Sequence, residues 1–191
     1  MPLQHRPAPI AARPRIDTPE TFRAWLGTWE GKRRTFQRDD VNGTTVVGGY
    51  GQDHGKGPEP EKMIGKPVSD ADANRWLDEA IAEKRAAVER RVHPHIWERM
   101  TPAQQNALVS LAFNVGVNAL GKSKTLALIN NGDFFGAAGQ WLEFNHSKGQ
   151  AIWGLTRRRI DEVGHFIGDD IEKIEPNEEY RRFGVTKFKR L

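Results

Sequence analysis

The hydrophobic period of this sequence changes twice, and this change limits the folds available to the chain. Residues 18–30 place four large apolar side chains at helical spacing: Phe22, Trp25, Leu26 and Trp29. Residues 32–57 then bring β-branched residues, an Asn-Gly pair and repeated glycines, which are typical of short strands and tight turns. Helical periodicity returns at Ser69. This order predicts an α+β fold with a small sheet ahead of a helical region.

The region after Ser69 carries the signals of successive helices. The residues suited to cap a helix N-terminus are Ser69, Thr101, Ser123 and Asp133, and proline follows Thr101 directly. Helix ends are predicted near Pro94, Gly116 and Asn131-Gly132, and a last helix is predicted to begin near Gly154. A long helix after Ser69 would join a sheet lobe to a helical lobe. We therefore expect a cleft between the two lobes.

Composition excludes several classes of protein. The chain has 191 residues, a net charge of +4 and no cysteine, so disulfides and thiolate metal sites are absent. No apolar run approaches the roughly 20 residues that a membrane-spanning helix needs. The positive charge is compatible with an anionic partner such as nucleic acid, a membrane surface or an acidic wall polymer, without separating them.

The two ends of the chain differ from its middle. Residues 1–17 are rich in proline and arginine and lack the apolar stretch of a secretory signal. We expect a flexible leader there, and a protein made in the cytoplasm. Residues 168–191 are polar, basic and weakly periodic, which predicts a surface tail. Residues 18–167 remain as the predicted folded domain.

Three carboxylates near the first helix have two interpretations. Glu30 at a helix end would be a solvated residue, and Asp39 and Asp40 before Val-Asn-Gly would be ordinary turn residues. Alternatively, Trp25 and Trp29 place apolar surface beside Glu30. Desolvation raises the pKa of a carboxyl group, which would let it protonate a leaving oxygen, while an aspartate in a wetter turn stays ionised. Two carboxyls in such different surroundings are the pattern of a glycoside hydrolase.

Four stretches of the chain form a longer pattern. Glu30-Gly31 is followed by Asp39, Thr45 and "GGYG" (48–51). The other three are "TPAQQNALVSLAFNVG" (101–116), "TLALINNGDFFGAAGQWLEFN" (125–145) and "GLTRRRIDE" (154–162). In this order, over about residues 20–167, they resemble the phage-type lysozyme (muramidase) family.

The resemblance implies a lysozyme-like fold, with a β-hairpin lobe and a mainly helical lobe around a cleft. It implies that Glu30 is the general acid. Gap-free spacing makes Asp39 the second carboxylate, with Thr45 helping to place a water. Aligning Gly43 with the turn glycine of the family makes it Asp40 instead, so both aspartates stay candidates.

The residues that we expect to contact substrate are Gly49, Tyr50, Asn114, Asn145 and Trp153. Asn114 is equally compatible with a buried scaffold role, and Trp153 lies in a predicted loop over the cleft (144–154). The arginines at 157–159 suit a nucleic-acid backbone. The resemblance instead favours a structural role for at least one of them.

The reaction implied by the resemblance is cleavage of the β-1,4 bond between N-acetylmuramic acid and N-acetylglucosamine in peptidoglycan. A lytic transglycosylase is the enzyme alternative, and a non-catalytic wall-binding or DNA-binding module is the other. We expect a monomer that binds peptidoglycan, needs no cofactor or metal, binds no nucleic acid and does not span the membrane. We expect it to act on the cell wall or in the periplasm after release through a holin, or delivery by a virion or a secretion machine.

Overall fold

A computed structural model describes residues 14–40 and 42–188. The first part of the chain forms one helix and a small antiparallel sheet of strand order β1-β2-β3. Its elements are α1 (Pro19–Glu30), β1 (Arg33–Arg38), β2 (Val46–Gly49) and β3 (Gln52–Asp53). A sheet within residues 32–57 is therefore confirmed, and so is the α+β fold class.

Helix α1 begins and ends where its sequence predicts. Thr18 is the N-cap, and its hydroxyl accepts a hydrogen bond from the backbone N–H of Thr21, whose own hydroxyl accepts from the N–H of Thr18. Pro19 takes the first helical position, where its missing N–H costs nothing. Gly31 ends the helix with a φ of 69°, a conformation that other residues rarely adopt. Glu30 is thereby fixed as the last helical residue.

The sheet is closed on its β1 side by the predicted connector. The N–H of Val68 donates to the carbonyl of Arg34 (2.8 Å), and the N–H of Gly65 donates to that of Phe36 (2.9 Å). A short helix, α2 (Pro58–Glu61), lies inside this connector. Because residues 65–68 satisfy the backbone groups of β1, this side of the sheet is not an open edge.

The rest of the chain is mainly helical, and it starts with a single long helix. The helices are α3 (Asp70–Glu89), α4 (Pro94–Trp97), α5 (Pro102–Val115), α6 (Val117–Gly121), α7 (Lys124–Asn130), α8 (Phe134–Trp141) and α9 (Trp153–Ile167). The four predicted N-caps, Ser69, Thr101, Ser123 and Asp133, each accept a backbone hydrogen bond as expected. Pro94 differs from its prediction: α3 already ends at Glu89, and Pro94 opens α4.

Helix α5 lies at the centre of the helical part and packs against α3 and α9. Its residues 107–109 and 111–112 are all fully buried. A helix that is apolar on nearly every side belongs in a core, and α5 is such a helix. The core therefore holds α9, and with it the arginines at 157–159, in a fixed position relative to α1.

The segments at 144–154 and 168–188 differ from what their sequences predict. The first contains a two-stranded hairpin, β4 (His146–Ser147) and β5 (Gln150–Ala151). The second forms a 3-10 helix at 168–173 and α10 (Glu178–Arg182), and it buries Ile171, Tyr180 and Phe188 in the main core. This segment is not a surface tail, because three widely spaced apolar side chains anchor it.

The predicted leader also has an anchored end. Ile16 is buried in the main core, and its carbonyl accepts a hydrogen bond from the side-chain amide of Asn106. The remaining leader residues, 1–13, and the last three residues of the predicted tail lie outside the described residues. Within residues 14–40 and 42–188, no helix combines the length and apolar character needed to cross a membrane.

Candidate active site

Glu30 lies where the helical part of the chain passes into the sheet. It is the last residue of α1, and β1 begins three residues later. Its side chain is 20% exposed, so it is accessible to a ligand without being fully solvated. A partly exposed carboxylate at the junction of two lobes is placed to meet a substrate that lies between them.

The carboxylate of Glu30 is held by a cation that the sequence interpretation missed. One Nη of Arg158 donates to Glu30 Oε1 at 2.8 Å, and the Arg158 side chain is only 5% exposed. The sequence predicted apolar surface from Trp25 and Trp29 beside Glu30, and the structure adds a buried guanidinium as the partner of its carboxylate. Since this contact joins residues 128 positions apart, no local pattern could reveal it.

The three arginines at 157–159 have different surroundings. Arg157 is exposed, whereas Arg158 and Arg159 are buried. Both buried side chains donate to Glu162 on the same helix, which confirms the structural role predicted for at least one of them.

Asp39 and Thr45 face each other across the turn between β1 and β2. The N–H of Asp39 donates to the carbonyl of Thr45 (2.9 Å), and the carbonyl of Asp39 accepts from the N–H of Gly43 (2.8 Å). Asp39 is partly buried. Asp40 instead points to solvent, with a side chain that is 75% exposed and 3.3 Å from an Arg33 nitrogen.

Asn42 organises this turn, a role that was not predicted from the sequence. Its Oδ1 accepts from the N–H groups of Thr44 (2.8 Å) and Thr45 (3.0 Å), and its Nδ2 donates to Thr45 Oγ1 (3.0 Å). The hydroxyl of Thr45 thus has a protein partner, and the residue is buried. The Asn-Gly pair in the sequence was the available signal, since asparagine commonly stabilises turns in this way.

Gly49 and Tyr50 form the inner end of the sheet. Gly49 is buried with a φ of 59°, and a Cβ there would lie 2.7 Å from Gln52 Oε1 and 3.3 Å from Ala73. Its role is therefore the close approach of the sheet to α3. Tyr50 is partly buried, and its hydroxyl donates to Asn74 Oδ1 at 3.3 Å.

The other three predicted contacts lie in different surroundings. Asn114 is exposed in the last turn of α5, so the buried-scaffold alternative is wrong for it. Trp153 is 45% exposed at the start of α9, and its ring lies 5.4 Å from that of Phe183. Asn145 is fully buried, and its amide donates to Thr156 (3.2 Å) and Glu179 (2.5 Å). Because solvent does not reach Asn145, its place in a substrate site is contradicted.

The described residues contain no group of three or more His, Asp or Glu side chains arranged to hold a metal ion. The carboxylate of Glu30 is instead paired with Arg158, and that of Asp40 with Arg33. The arrangement offers acid–base and electrostatic chemistry at a partly enclosed carboxylate. That the reaction needs no cofactor stays a prediction.

Comparison with known proteins gives consistent matches over this region. The sequence model of the family described as "Phage lysozyme" matches residues 27–162, which include Glu30, the turn from Asp39 to Thr45 and Arg158. An endolysin of Bacillus phage B103 is 32% identical over 126 residues, 66% of this chain and 44% of that protein. A SAR-endolysin of Escherichia phage Mu is 34% identical over 126 residues, 66% of this chain and 67% of that protein. The chain thus spans less than half of the first of these relatives.

Solved structures with the same fold cover most of the chain. The muramidase domain of SpmX from Asticaccaulis excentricus superposes with a TM-score of 0.66 at 27% identity, over 81% of this chain and 99% of that domain. An endolysin from Escherichia coli O157:H7 phage FAHEc1 has a TM-score of 0.64 at 22% identity, over 85% of this chain and 97% of that one, which is a likeness of fold alone.

Proposed function

Because the chain belongs to the phage lysozyme family, we propose that it hydrolyses peptidoglycan at the β-1,4 bond between N-acetylmuramic acid and N-acetylglucosamine. The observation that carries this proposal is the setting of Glu30. It is a carboxylate 20% exposed at the junction of helix and sheet, fixed by a buried guanidinium. Such a group is accessible to a sugar and already oriented, which are the two geometric conditions that a general acid must meet.

Glu30 is the proposed general acid. Its proton passes to the glycosidic oxygen as the bond from that oxygen to C1 of the muramic acid breaks, and positive charge develops at C1. The carboxylate that forms on Glu30 lies beside Arg158, which is already in place to stabilise it. An electrostatic partner that needs no rearrangement during the reaction lowers the barrier most effectively.

Asp39 is the proposed base, with Asp40 as the alternative. A water on the face of the sugar opposite Glu30 attacks C1 and gives its proton to Asp39, which inverts the configuration at C1. Asp39 is favoured because its backbone is bonded to Thr45 and its side chain is partly buried. Thr45 and Asn42 hold the turn that carries it. Asp40 is mostly in solvent, where its charge is screened.

The proposed sugar contacts are the accessible members of the predicted set. Tyr50, Asn114 and Trp153 expose surface, and Trp153 with Phe183 offers an aromatic face of the kind that sugars pack against. The net charge of +4 suits a wall that carries carboxylates. The same proposal includes action as a monomer in the periplasm or on the wall. The protein reaches this place after release by a holin, or delivery by a virion or a secretion machine.

Product analysis with a matched pair of variants tests the proposal. On purified peptidoglycan, Glu30→Gln is expected to lose at least about a hundredfold in rate, since a general acid contributes about 10²–10⁴-fold. The control Glu172→Gln changes an exposed glutamate of the 3-10 helix and is expected to keep wild-type activity.

The products decide between the alternatives. Wild-type protein is expected to release fragments with reducing N-acetylmuramic acid ends, formed first as the inverted anomer and visible by NMR. Fragments with 1,6-anhydro ends would replace the hydrolase with a lytic transglycosylase. Binding to the wall without any new ends would leave a non-catalytic module.

A further inference from the structure

Glu162 is a buried carboxylate with an unusual number of partners. It is fully buried, in the third turn of α9. Its Oε1 accepts from Ser110 Oγ (2.6 Å), Arg158 Nε (3.0 Å) and Arg159 Nη2 (3.1 Å), and its Oε2 accepts from Trp141 Nε1 (3.0 Å). A buried charge is tolerated only when it is paired and hydrogen-bonded throughout, as it is here.

The bond from Arg158 to Glu162 fixes the direction of the whole guanidinium. Arg158 donates with Nε to Glu162, which leaves Nη2 pointing to Glu30 (2.8 Å). The same Nη2 lies 3.3 Å from both the carbonyl and the hydroxyl oxygen of Ser110. Because a guanidinium is rigid and planar, holding Nε sets the position of Nη2 as well.

The charges of Arg158, Arg159 and Glu162 sum to zero only when Glu30 is included. Arg158 and Arg159 bring two positive charges to the buried part, and Glu162 brings one negative charge. One positive charge is left over, and it faces Glu30. A carboxylate formed on Glu30 during a reaction would therefore meet a cation held in place by residues that do not touch the substrate.

We propose that Ser110 and Glu162 are positioning residues for catalysis, acting through Arg158 on Glu30. This inference rests on the proposed role of Glu30 as general acid. Helix α5 supplies Ser110 and α9 supplies Arg158 and Glu162, so the two helices together aim one nitrogen at the end of α1.

A conservative change in Ser110 tests whether this residue acts on Glu30 through Arg158. Ser110→Ala removes the hydroxyl that contacts Glu162 and Arg158, and it leaves the packing of α5 nearly unchanged. We expect the rate at saturating peptidoglycan, kcat, to fall about tenfold or more, because small misplacements of a reacting group are costly. KM is expected to stay within about twofold, since no proposed sugar contact is altered.

The matched control is Thr125→Val in α7. This change also removes a buried hydroxyl, one with no hydrogen-bond partner among residues 14–40 and 42–188, in a helix that contributes none of the four charged side chains. It is expected to leave kcat and KM unchanged. Thermal unfolding of both variants measures the loss of stability separately from the loss of activity.

A double-mutant cycle distinguishes positioning from a structural effect. Arg158→Lys keeps the positive charge but replaces the planar guanidinium with an ammonium group, whose direction Glu162 and Ser110 cannot fix in the same way. If Ser110 acts through Arg158, Ser110→Ala lowers kcat in the wild-type background and has no further effect beside Arg158→Lys. Glu162→Gln should behave in the same way.

The positioning role would be overturned if Ser110→Ala lowered kcat equally in the wild-type and Arg158→Lys backgrounds, or left kcat of the wild type unchanged. Glu30→Gln, run alongside, separates this outcome from a failure of the proposed function. If Glu30→Gln is inactive and the effects of Ser110→Ala and Arg158→Lys on kcat are additive, only the positioning role is wrong. If Glu30→Gln is active, the function proposed for the site is wrong as well.

Discussion

Two adjacent aspartates in the β1–β2 turn have very different surroundings. The backbone of Asp39 takes part in the turn on both sides, through Thr45 and Gly43. The side chain of Asp40 instead forms an exposed ion pair with Arg33 at 3.3 Å. Exposed pairs of this kind contribute little to stability, because solvent screens them and the side chains lose freedom. The two residues can therefore be separated by mutation.

We expect Asp39→Asn to lower the rate of peptidoglycan cleavage at least about a hundredfold, since a general base contributes about 10²–10⁴-fold. Asp40→Asn removes a solvated charge and is expected to keep activity within about twofold of wild type. Both variants preserve side-chain shape, so each is the control for the other in one assay. A loss in Asp40→Asn alone would move the base to Asp40 without changing the mechanism.

The residues of this site differ in how far the sequence predicts them. Glu30 was predictable because its position depends on local signals: an apolar helical stripe, a proline start and a glycine stop. Its partner Arg158 was not, because the contact depends on how α9 packs on α5. Asn145 was predicted to contact substrate for the same reason. A helix distant in sequence buries it, and the residues next to Asn145 do not predict that burial.

At the scale of elements, α10 is the least predictable part of the fold and has a definite structural task. Glu179 contacts His146 (2.7 Å) and Asn145 (2.5 Å), both in or next to the β4–β5 hairpin. Tyr180 is fully buried and donates its hydroxyl to the carbonyl of Leu142 at 2.6 Å. Burial also raises the pKa of Tyr180, so the hydroxyl stays a donor. Helix α10 thereby supports the hairpin that precedes α9.

Substitutions at Tyr180 are expected to measure this support. Tyr180→Phe keeps the ring and leaves the Leu142 carbonyl without its donor, which should lower the free energy of unfolding by about 1–3 kcal/mol. Tyr180→Ala also creates a cavity and should cost about 3–5 kcal/mol. Urea unfolding followed by circular dichroism gives both values. Equal stability of all three proteins would mean that α10 is not part of the cooperative fold.

At the scale of the whole molecule, His54 connects the sheet to α3. Its ring lies 5.0 Å from that of Phe36 and 4.6 Å from that of Trp76. Its Nε2 is buried without a hydrogen-bond partner in the described part of the chain. Desolvation lowers the pKa of His54 below its ordinary value, and the nearby Asp53 opposes this only in part. Protonation therefore places a charge in the contact between the sheet and α3.

This lowered pKa makes global stability depend on pH. Below about pH 6.5 the unfolded chain binds a proton at His54 that the folded chain resists, so the free energy of unfolding falls as pH falls. One such group contributes at most about 1.4 kcal/mol per pH unit. His54→Phe keeps the ring contacts and removes the titration. Between about pH 7.5 and 5.5, the variant should lose less stability than wild type; equal slopes would exclude His54 as the cause.

The contact between Glu30 and Arg158 also sets an order of events during protein synthesis. Glu30 leaves the ribosome 128 residues before its partner. At about 5–20 residues per second, translation of this interval takes about 6–26 seconds. During that time α1 has neither the guanidinium nor the helix that carries it. The nascent chain therefore completes the surroundings of its acid only after α9 has been made, and a truncated product that ends before α9 has the carboxylate without the cation that orients it.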